Sequence, residues 1–599
     1  MIFHKQMFLS FLFFLMAIKV SCQVIDTVKV TEFGVKPNSY QNASKGISEA
    51  LKKCSGRKNV VVQLPGGRID LWPEDSVKKE IYISNATESD TLSKIKNIGF
   101  FFDHLKNVTL DGNNTLVVLH GKMISFALFN CENIEIKNLQ FDYERPTMSE
   151  ATVVWVSPSA VKLKIHPDSK YFIENGKIGF YGEGWKSNSH HTIALDQQNR
   201  MHYSSFEPFL KSKAIQQENR EVLFEGDFSK DKYKTGDVLS IRDTYRDNCG
   251  GFITLSKDVV LSNIKMHFMH GLGIVSQFAE NITLSKVVVA PRENSGRVIA
   301  SFADCFHFSG CKGKILVTDC KTSGAHDDAI NVHGTHLKIT EISGNKKIKV
   351  QFMHHQTYGF EAFFAGDSIS FVSPKTLKTI VFGKVKSAKL ISKKEMELVL
   401  ENEISEKIKI GDVIENITWT PEVTIRNSRF ERTNTRGILL TTRRKIRIEN
   451  NIFYRTGMHA ILIADDASNW FESGSVADVT IQNNTFEECA YNSGTVINIA
   501  PENHELVKGY FVHHNIRIQE NTFTVLDKSI LSARSTDGLF FSNNTINQSD
   551  LVGEVSNEDA FKLTACKKVV IKNNTFNTHW KPKIATFNMM NFDIKTNIK

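Results

Sequence analysis

A six-residue phrase recurs down this chain: an apolar residue, a polar one, Asn or a similar residue, two variable positions, then Phe or another apolar residue. It stands at 136–141, 261–266, 284–289, 317–322 and 425–430, and again at 448–453, 481–486, 518–523, 541–546 and 571–576. Starts within the first uninterrupted run lie 23 and 33 residues apart, and within the second 23, 33, 37, 23 and 30. Periods of roughly 20 to 50 residues mark a stacked repeat. Each unit is built of short alternating snippets rich in Val, Ile, Thr and Phe, without helical periodicity, so helical repeats are excluded. The expected fold is all-β: a right-handed parallel β-helix, a solenoid with one coil per phrase. Stacking like on like places Asn over Asn, with amides bonding along the ladder, and Phe over Phe in the core, a use for the 42 Phe of the chain. The Asn-x-Thr triplets then read as corner ladders rather than glycosylation acceptors.

Two gaps break the phrase, 125 residues between starts 136 and 261 and 108 between 317 and 425. Both hold alternating segments punctuated by Gly-Asp, at 236–237, 366–367 and 411–412, as in small antiparallel barrels. They are expected to be two inserted β-barrel-like domains. Near the start, Asn42 reads as an N-cap and Ile47, Ala50, Leu51 and Cys54 share one helical face, giving a helix that closes the solenoid's open end. The organisation expected is a signal at 1–22, cap and first coils at 23–144, one insert at 145–255, and coils bearing the catalytic carboxylates at 256–337. A second insert follows at 338–420 and the last coils at 421–599.

His4 and Lys5 precede an apolar run at 7–18, too short for a span, and the small-residue exit Val20-Ser21-Cys22-Gln23. This is a secretory signal, so the protein is expected in the periplasm or at the cell surface of a bacterium. Cys22 either precedes the cleaved bond or carries lipid as the first residue of a lipoprotein; only such an anchor would tie the chain to a membrane. The other eight cysteines are too scattered for a disulfide scaffold or a closed metal set and read as buried thiols. A net charge of +9 without a dense basic run argues against nucleic-acid binding.

Acidic residues are scarce in β-helix strands, so two lines stand out: Ala303-Asp304-Cys305-Phe306-His307-Phe308 and His326-Asp327-Asp328-Ala329-Ile330-Asn331-Val332-His333-Gly334. Laying Asp304 on Asp328 aligns them at an offset of 24, one coil, which brings three carboxylates to one face about 4.8 Å per coil apart. Like charges that close oppose joint ionisation, so one pKa rises while another stays low, which supplies a general acid and a general base. His307, His326, Asn331 and His333 are candidates for bonding sugar hydroxyls. Calcium is the competing use of such a cluster, and a lyase would add a Lys or Arg base; neither motif contains one, which favours hydrolysis without metal or cofactor. On later coils Arg436, Trp470 and Glu472 are candidate pocket residues, Trp470 by stacking on a pyranose face. The competing reading packs Trp470 on the solenoid with Asp465 and Asp466 solvated and makes Arg436 a corner salt bridge. Arg242 and Arg246, at the end of the first insert, are weaker candidates.

Over essentially the whole mature chain, these two lines in an exported β-helix with two barrel-like inserts resemble glycoside hydrolase family 110, bacterial exo-acting α-1,3-galactosidases. The resemblance implies release of terminal α-1,3-linked galactose from blood-group B-type or linear α-galactosyl glycans with inversion. It further implies Asp304 as the acid and Asp327 and Asp328 as the groups that activate and orient water. The order of the aspartates is also similar to the family 28 polygalacturonases, but Ala-Asp-Cys replaces their Asn-Thr-Asp, and their downstream Gly-His-Gly and Arg-Ile-Lys elements are absent at matching distance. A polysaccharide lyase, another glycosidase and a non-catalytic glycan-binding adhesin remain the alternatives.

Overall fold

The computed structural model describes residues 26–598 except 87–89, 188–190, 207, 208, 210, 211, 243, 493 and 552–558. The export signal and Cys22 therefore lie outside the described residues. The corner of each coil is set by the third position of the phrase. All ten such residues, Asn138, Asn263, Lys286, Asp319, Asn427, Asn450, Asn483, Glu520, Asn543 and Asn573, have φ between 52° and 57°. That left-handed geometry costs Asn least among non-glycine residues, which is why Asn fills most of these sites. Adjacent coils pair in parallel and in register, Ile448 on Ile481 and Phe453 on Phe486. The rings of Phe453, Phe486 and Phe523 stack with centroids 5.0 and 4.7 Å apart.

In the later coils the ladder of amides runs through the fourth position of the phrase, whereas in the earlier ones Asn263 Nδ2 donates to Asn138 Oδ1 at the third, 2.9 Å away. Asn451 Nδ2 donates to Asn484 Oδ1, Asn484 to Asn521, Asn521 to Asn544, each at 3.0 Å, and Asn544 to Asn574 at 3.1 Å. Each acceptor oxygen also takes the backbone N–H of the coil before it. Asn451, Asn484, Asn521 and Asn544 are buried, so the ladder satisfies groups that could not otherwise be dehydrated cheaply. At the open end a helix, Ser44–Lys52, buries Ile47, Ala50 and Leu51 as expected, while Cys54 is buried in the turn just past its end. Its N-cap is Ala43; Asn42, one residue earlier, instead accepts the backbone N–H of Ser44 and of Trp72, tying the helix to the first coil.

A second parallel sheet carries the site. It stacks Met123–Phe129, Cys249–Thr254, Leu272–Gln277, Phe306–Ser309, Ile330–Ser343 and Ile438–Leu440 in that order. Cys249–Thr254 is thus a solenoid strand, so the first insert ends before Cys249 rather than at 255. That insert is an antiparallel sheet ordered Met201–Phe206, His191–Leu195, Val238–Arg242, Met148–Ser157, Ala160–Ile165, Glu221–Glu225, Lys213–Gln216, beside a three-stranded hairpin sheet. Among the described residues this pairing does not close into a ring. The second insert does close. Strands Lys347–Gln351, Glu395–Leu400, Thr379–Ser392, Ser368–Val372 and Val413–Asn416 pair in sequence, and Ile330–Ser343 pairs with both ends of that series. Ile330–Ser343 is therefore one continuous strand whose first residues belong to the solenoid and whose last belong to the barrel. The barrel has its own core, including Leu337, Ile348, Met396 and Leu398. All eight cysteines of the described residues are free and buried.

Candidate active site

The register anticipated for the two acidic lines is the observed one: Phe306 pairs with Ile330 and Ser309 with His333, and the Cys305 N–H donates to the Asp328 carbonyl. Gly324, at φ 84° with no room for a Cβ against the Val298 carbonyl, turns the chain into the Asp327-Asp328 loop. One oxygen from each of Asp304, Asp327 and Asp328 lies within 4.8 Å of the other two. A cation could bridge carboxylates at that spacing, but guanidinium groups already stand on two of them. Arg246 Nη1 meets Asp327 Oδ2 at 3.0 Å. Arg436 donates to Asp328 through its backbone N–H, Nε and Nη2 at 2.8 to 3.0 Å, and Thr435 Oγ1 adds a bond at 2.7 Å.

The three carboxyls are therefore unequal. Asp327 keeps 20% of its side chain accessible, against 6% for Asp304 and 1% for Asp328. Burial, then the Asp327 charge, pushes Asp304 up to about 7. Burial pushes Asp328 upward too, opposed by Arg436. Arg436 is itself held firmly protonated against its burial by the Asp328 carboxylate. The fork of donors on Asp328 makes it the ionised partner of a fixed pair, whereas Asp304 feels Arg246 and Arg436 only at a distance, has His307 as its hydrogen-bond partner, and is the member placed to hold a proton.

The structure redirects three of the four expected sugar-binding residues. His307 and His333 are both buried, and their four ring nitrogens are all engaged: His307 with Asp304 at 2.8 Å and with His333 at 3.0 Å, His333 with the Gly334 carbonyl at 2.7 Å. Buried and with every ring nitrogen engaged, they brace the acid. His326 is likewise buried, accepting Arg242 Nε at Nδ1 and meeting Ser240 Oγ at 2.6 Å, which docks the first insert on the coils. Asn331 donates weakly to Glu472 at 3.4 Å and keeps a buried Oδ1 with no partner among the described residues.

Arg436 is the clamp on Asp328, an ion pair at 2.8 Å that leaves 26% of the arginine side chain accessible. Glu472 sits beside the trio, accepting Asn85 Nδ2 at 2.7 Å. Trp470 is 41% exposed, its ring 4.2 Å from that of His354 and within 6.0 Å of the Arg246 guanidinium. Asp465 and Asp466 are buried, not solvated. Asp466 accepts the backbone N–H of Ser468, Asn469, Trp470 and Phe471, which presents Trp470 at the lip. Arg246, Asn85, Thr435, His354 and Gln356, the last accepting Arg246 Nη2 at 2.7 Å, are the residues that sequence reasoning missed or ranked low. Only for Arg246 was there a signal, a basic residue at the seam of an insert.

Comparison with known proteins agrees with this layout. Family models match as GLAA-B beta-barrel domain I over residues 149–239, GLAA-B beta-barrel domain II over 347–414, and a right handed beta helix region over 394–508. The chain is 43% identical to alpha-1,3-galactosidase A of Bacteroides fragilis over 98% of both chains. It is 39% identical to alpha-1,3-galactosidase A of Bacteroides thetaiotaomicron, covering 89% of this chain and 94% of that one. Against alpha-1,3-galactosidase B of the same organism the identity is 34% over 94% and 93%. The β-helix that stacks Asp304 on Asp328, the two inserts that frame them and this full-length similarity together place the chain in the α-1,3-galactosidase family, glycoside hydrolase family 110.

Proposed function

We propose that the chain is an exo-acting α-1,3-galactosidase that removes terminal galactose from blood-group B-type and linear α-galactosyl glycans by inversion. One observation carries the reading: a buried, protonatable Asp304 beside two carboxylates held by guanidinium groups. Asp304 donates its proton to the glycosidic oxygen as the bond to C1 breaks. Water held between Asp327 and Asp328 attacks C1 from the opposite face, and Asp327, the most accessible of the three, takes its proton. Asp328, locked by Arg436, orients that water. Trp470, exposed at the lip, offers its ring to the pyranose face, and Glu472 beside the trio offers a carboxylate to sugar hydroxyls. Export, with cleavage after Cys22 or a lipid on it, belongs to the same reading, and the mass of the mature N-terminus tests it.

A second reading has a specific observation behind it. Inverting pairs usually stand about 6.5 to 9.5 Å apart and retaining pairs about 5 Å, and the separations here are at most 4.8 Å between nearest oxygens. Retention with Asp327 as nucleophile fits that spacing. Inversion is preferred because two adjacent, cation-braced carboxylates suit a held water better than a carboxylate free to bond C1. Incubation with linear galactosyl-α-1,3-galactose and with branched B trisaccharide tests the function: free galactose supports it, an unsaturated product indicates a lyase, and binding without turnover an adhesin.

A further inference from the structure

Two buried histidines behind Asp304 have no role in the chemistry described above, yet their hydrogen bonds have only one consistent direction. The Gly334 carbonyl can only accept, so His333 Nδ1, 2.7 Å away, carries a hydrogen and donates it. Neutral His333 then has a lone pair at Nε2. His307 Nε2, 3.0 Å from it, must be the donor of that bond. Neutral His307 in turn has a lone pair at Nδ1, which lies 2.8 Å from Asp304 Oδ2. The hydrogen in this last bond belongs to the carboxyl.

We propose that His333 and His307 are positioning residues for the general acid: in the resting site a one-way relay from the Asp304 hydroxyl through both rings to the Gly334 carbonyl keeps the proton on Asp304, and bound substrate draws that hydroxyl away from His307 Nδ1 to the glycosidic oxygen, which takes the proton. The inference rests on the reading of Asp304 as the acid.

An arrangement with the same number of hydrogens would move the proton from Asp304 to His307 Nδ1 and create an ion pair. Burial opposes it, holding His307 at about 4 despite the Glu472 carboxylate, and His333 is lowered by burial as well. The charged groups facing the relay are Asp327, Asp328, Glu472, Arg246 and Arg436. Glu472 Oε1 stands 3.7 Å from His333 Nε2, beyond hydrogen-bond reach, and already takes the Asn85 amide. It therefore offers no competing acceptor that would reverse the relay.

The test compares His333→Gln with His333→Leu. A glutamine can turn its carbonyl oxygen to His307 Nε2–H and preserve the direction. A leucine offers no acceptor, so His307 is free to carry its hydrogen on Nδ1 and donate it to an Asp304 carboxylate, which stabilises the charged form. For hydrolysis of galactosyl-α-1,3-galactose, the basic limb of kcat/KM against pH should fall by about one unit in His333→Leu and stay within about 0.3 unit of wild type in His333→Gln. KM should change little. An aryl α-galactoside with a good leaving group, which needs no protonation, should be turned over by His333→Leu almost as by the parent. An unmoved limb in His333→Leu, or equal displacement in both variants, overturns the relay. Failure of the underlying reading shows separately, as an Asp304→Asn variant that still hydrolyses galactosyl-α-1,3-galactose at near-parental rate. If neither His333 variant folds, neutron diffraction of the parent protein decides: hydrogens on His333 Nδ1, His307 Nε2 and the Asp304 carboxyl support the relay, and one on His307 Nδ1 contradicts it.

Discussion

Asp304 and Asp327 are nearly equivalent by residue type and differ in what surrounds them, which separates their variants experimentally. Asp304→Asn, isosteric and uncharged, should keep the fold and lose roughly 10² to 10⁴-fold in turnover of galactosyl-α-1,3-galactose. An activated aryl α-galactoside should restore much of that loss, whereas Asp327→Asn should be restored only by added azide, as β-galactosyl azide. Because burial raises Asp304 to about 7, the acid stays protonated up to that pH, and kcat/KM should fall as pH rises beyond it. Arg436→Ala leaves Asp328 buried without its partner and should cost about 3 to 5 kcal/mol in urea denaturation, part of which Asp328→Asn added to it should return. The acidic trio was legible because Asp is out of place in a β-helix strand and both motifs share a one-coil offset. Asn85 and Gln356 were not, because they reach the site from a loop near the N-terminus and from the second insert, and nothing in their local sequence marks the approach; Arg246 carried only the weak signal of a basic residue at the seam of the first insert.

Individual coils are held by ladders that run across them, so the cost of breaking one rung can be stated in advance. Asn484 accepts two N–H groups of Asn451 at Oδ1 and donates to the Ile448 and Gln482 carbonyls and to Asn521. Asn484→Ala strips partners from several buried groups at once and should lower stability by roughly 2 to 4 kcal/mol by chemical denaturation. Asn483→Ala, at the left-handed corner, should cost less, since it loses only backbone preference. The repeat was readable because every coil must place the same residue types at the same corners. Which of two consecutive asparagines turns the corner and which enters the ladder was not, since that depends on the sign of φ. For the same reason the end of the first insert was misplaced: Cys249–Thr254 lacks the six-residue phrase, and only its parallel partners identify it as a solenoid strand.

The inserts matter to the whole molecule because both lend groups to one site, and the docking of the first is expected to depend on pH. His120 bridges Asp70 of the first coils, at 3.0 Å, and Glu183 of the first insert, at 2.7 Å, with its ring stacked 3.7 Å from Trp72. Burial works against its charge, but the two carboxylates prevail and raise it from 6.5 to about 9. A raised folded value means this stabilisation is full below the unfolded pKa near 6.5 and is lost as pH rises through about 9. Between pH 6 and 9.5 the parent should therefore lose roughly 2 kcal/mol more stability than His120→Gln; parallel curves would show that the clamp carries no charge. Taken with Arg242 on His326 and Arg246 on Asp327, the first insert is an arm that closes the catalytic face, while the strand Ile330–Ser343 ties the second to it. What these parts are arranged to do is read most directly from the first sugar released. Proton NMR of galactosyl-α-1,3-galactose during the opening minutes of reaction should show β-galactose appearing first and α-galactose growing only by mutarotation; α-galactose present from the start would contradict inversion by a water held between Asp327 and Asp328.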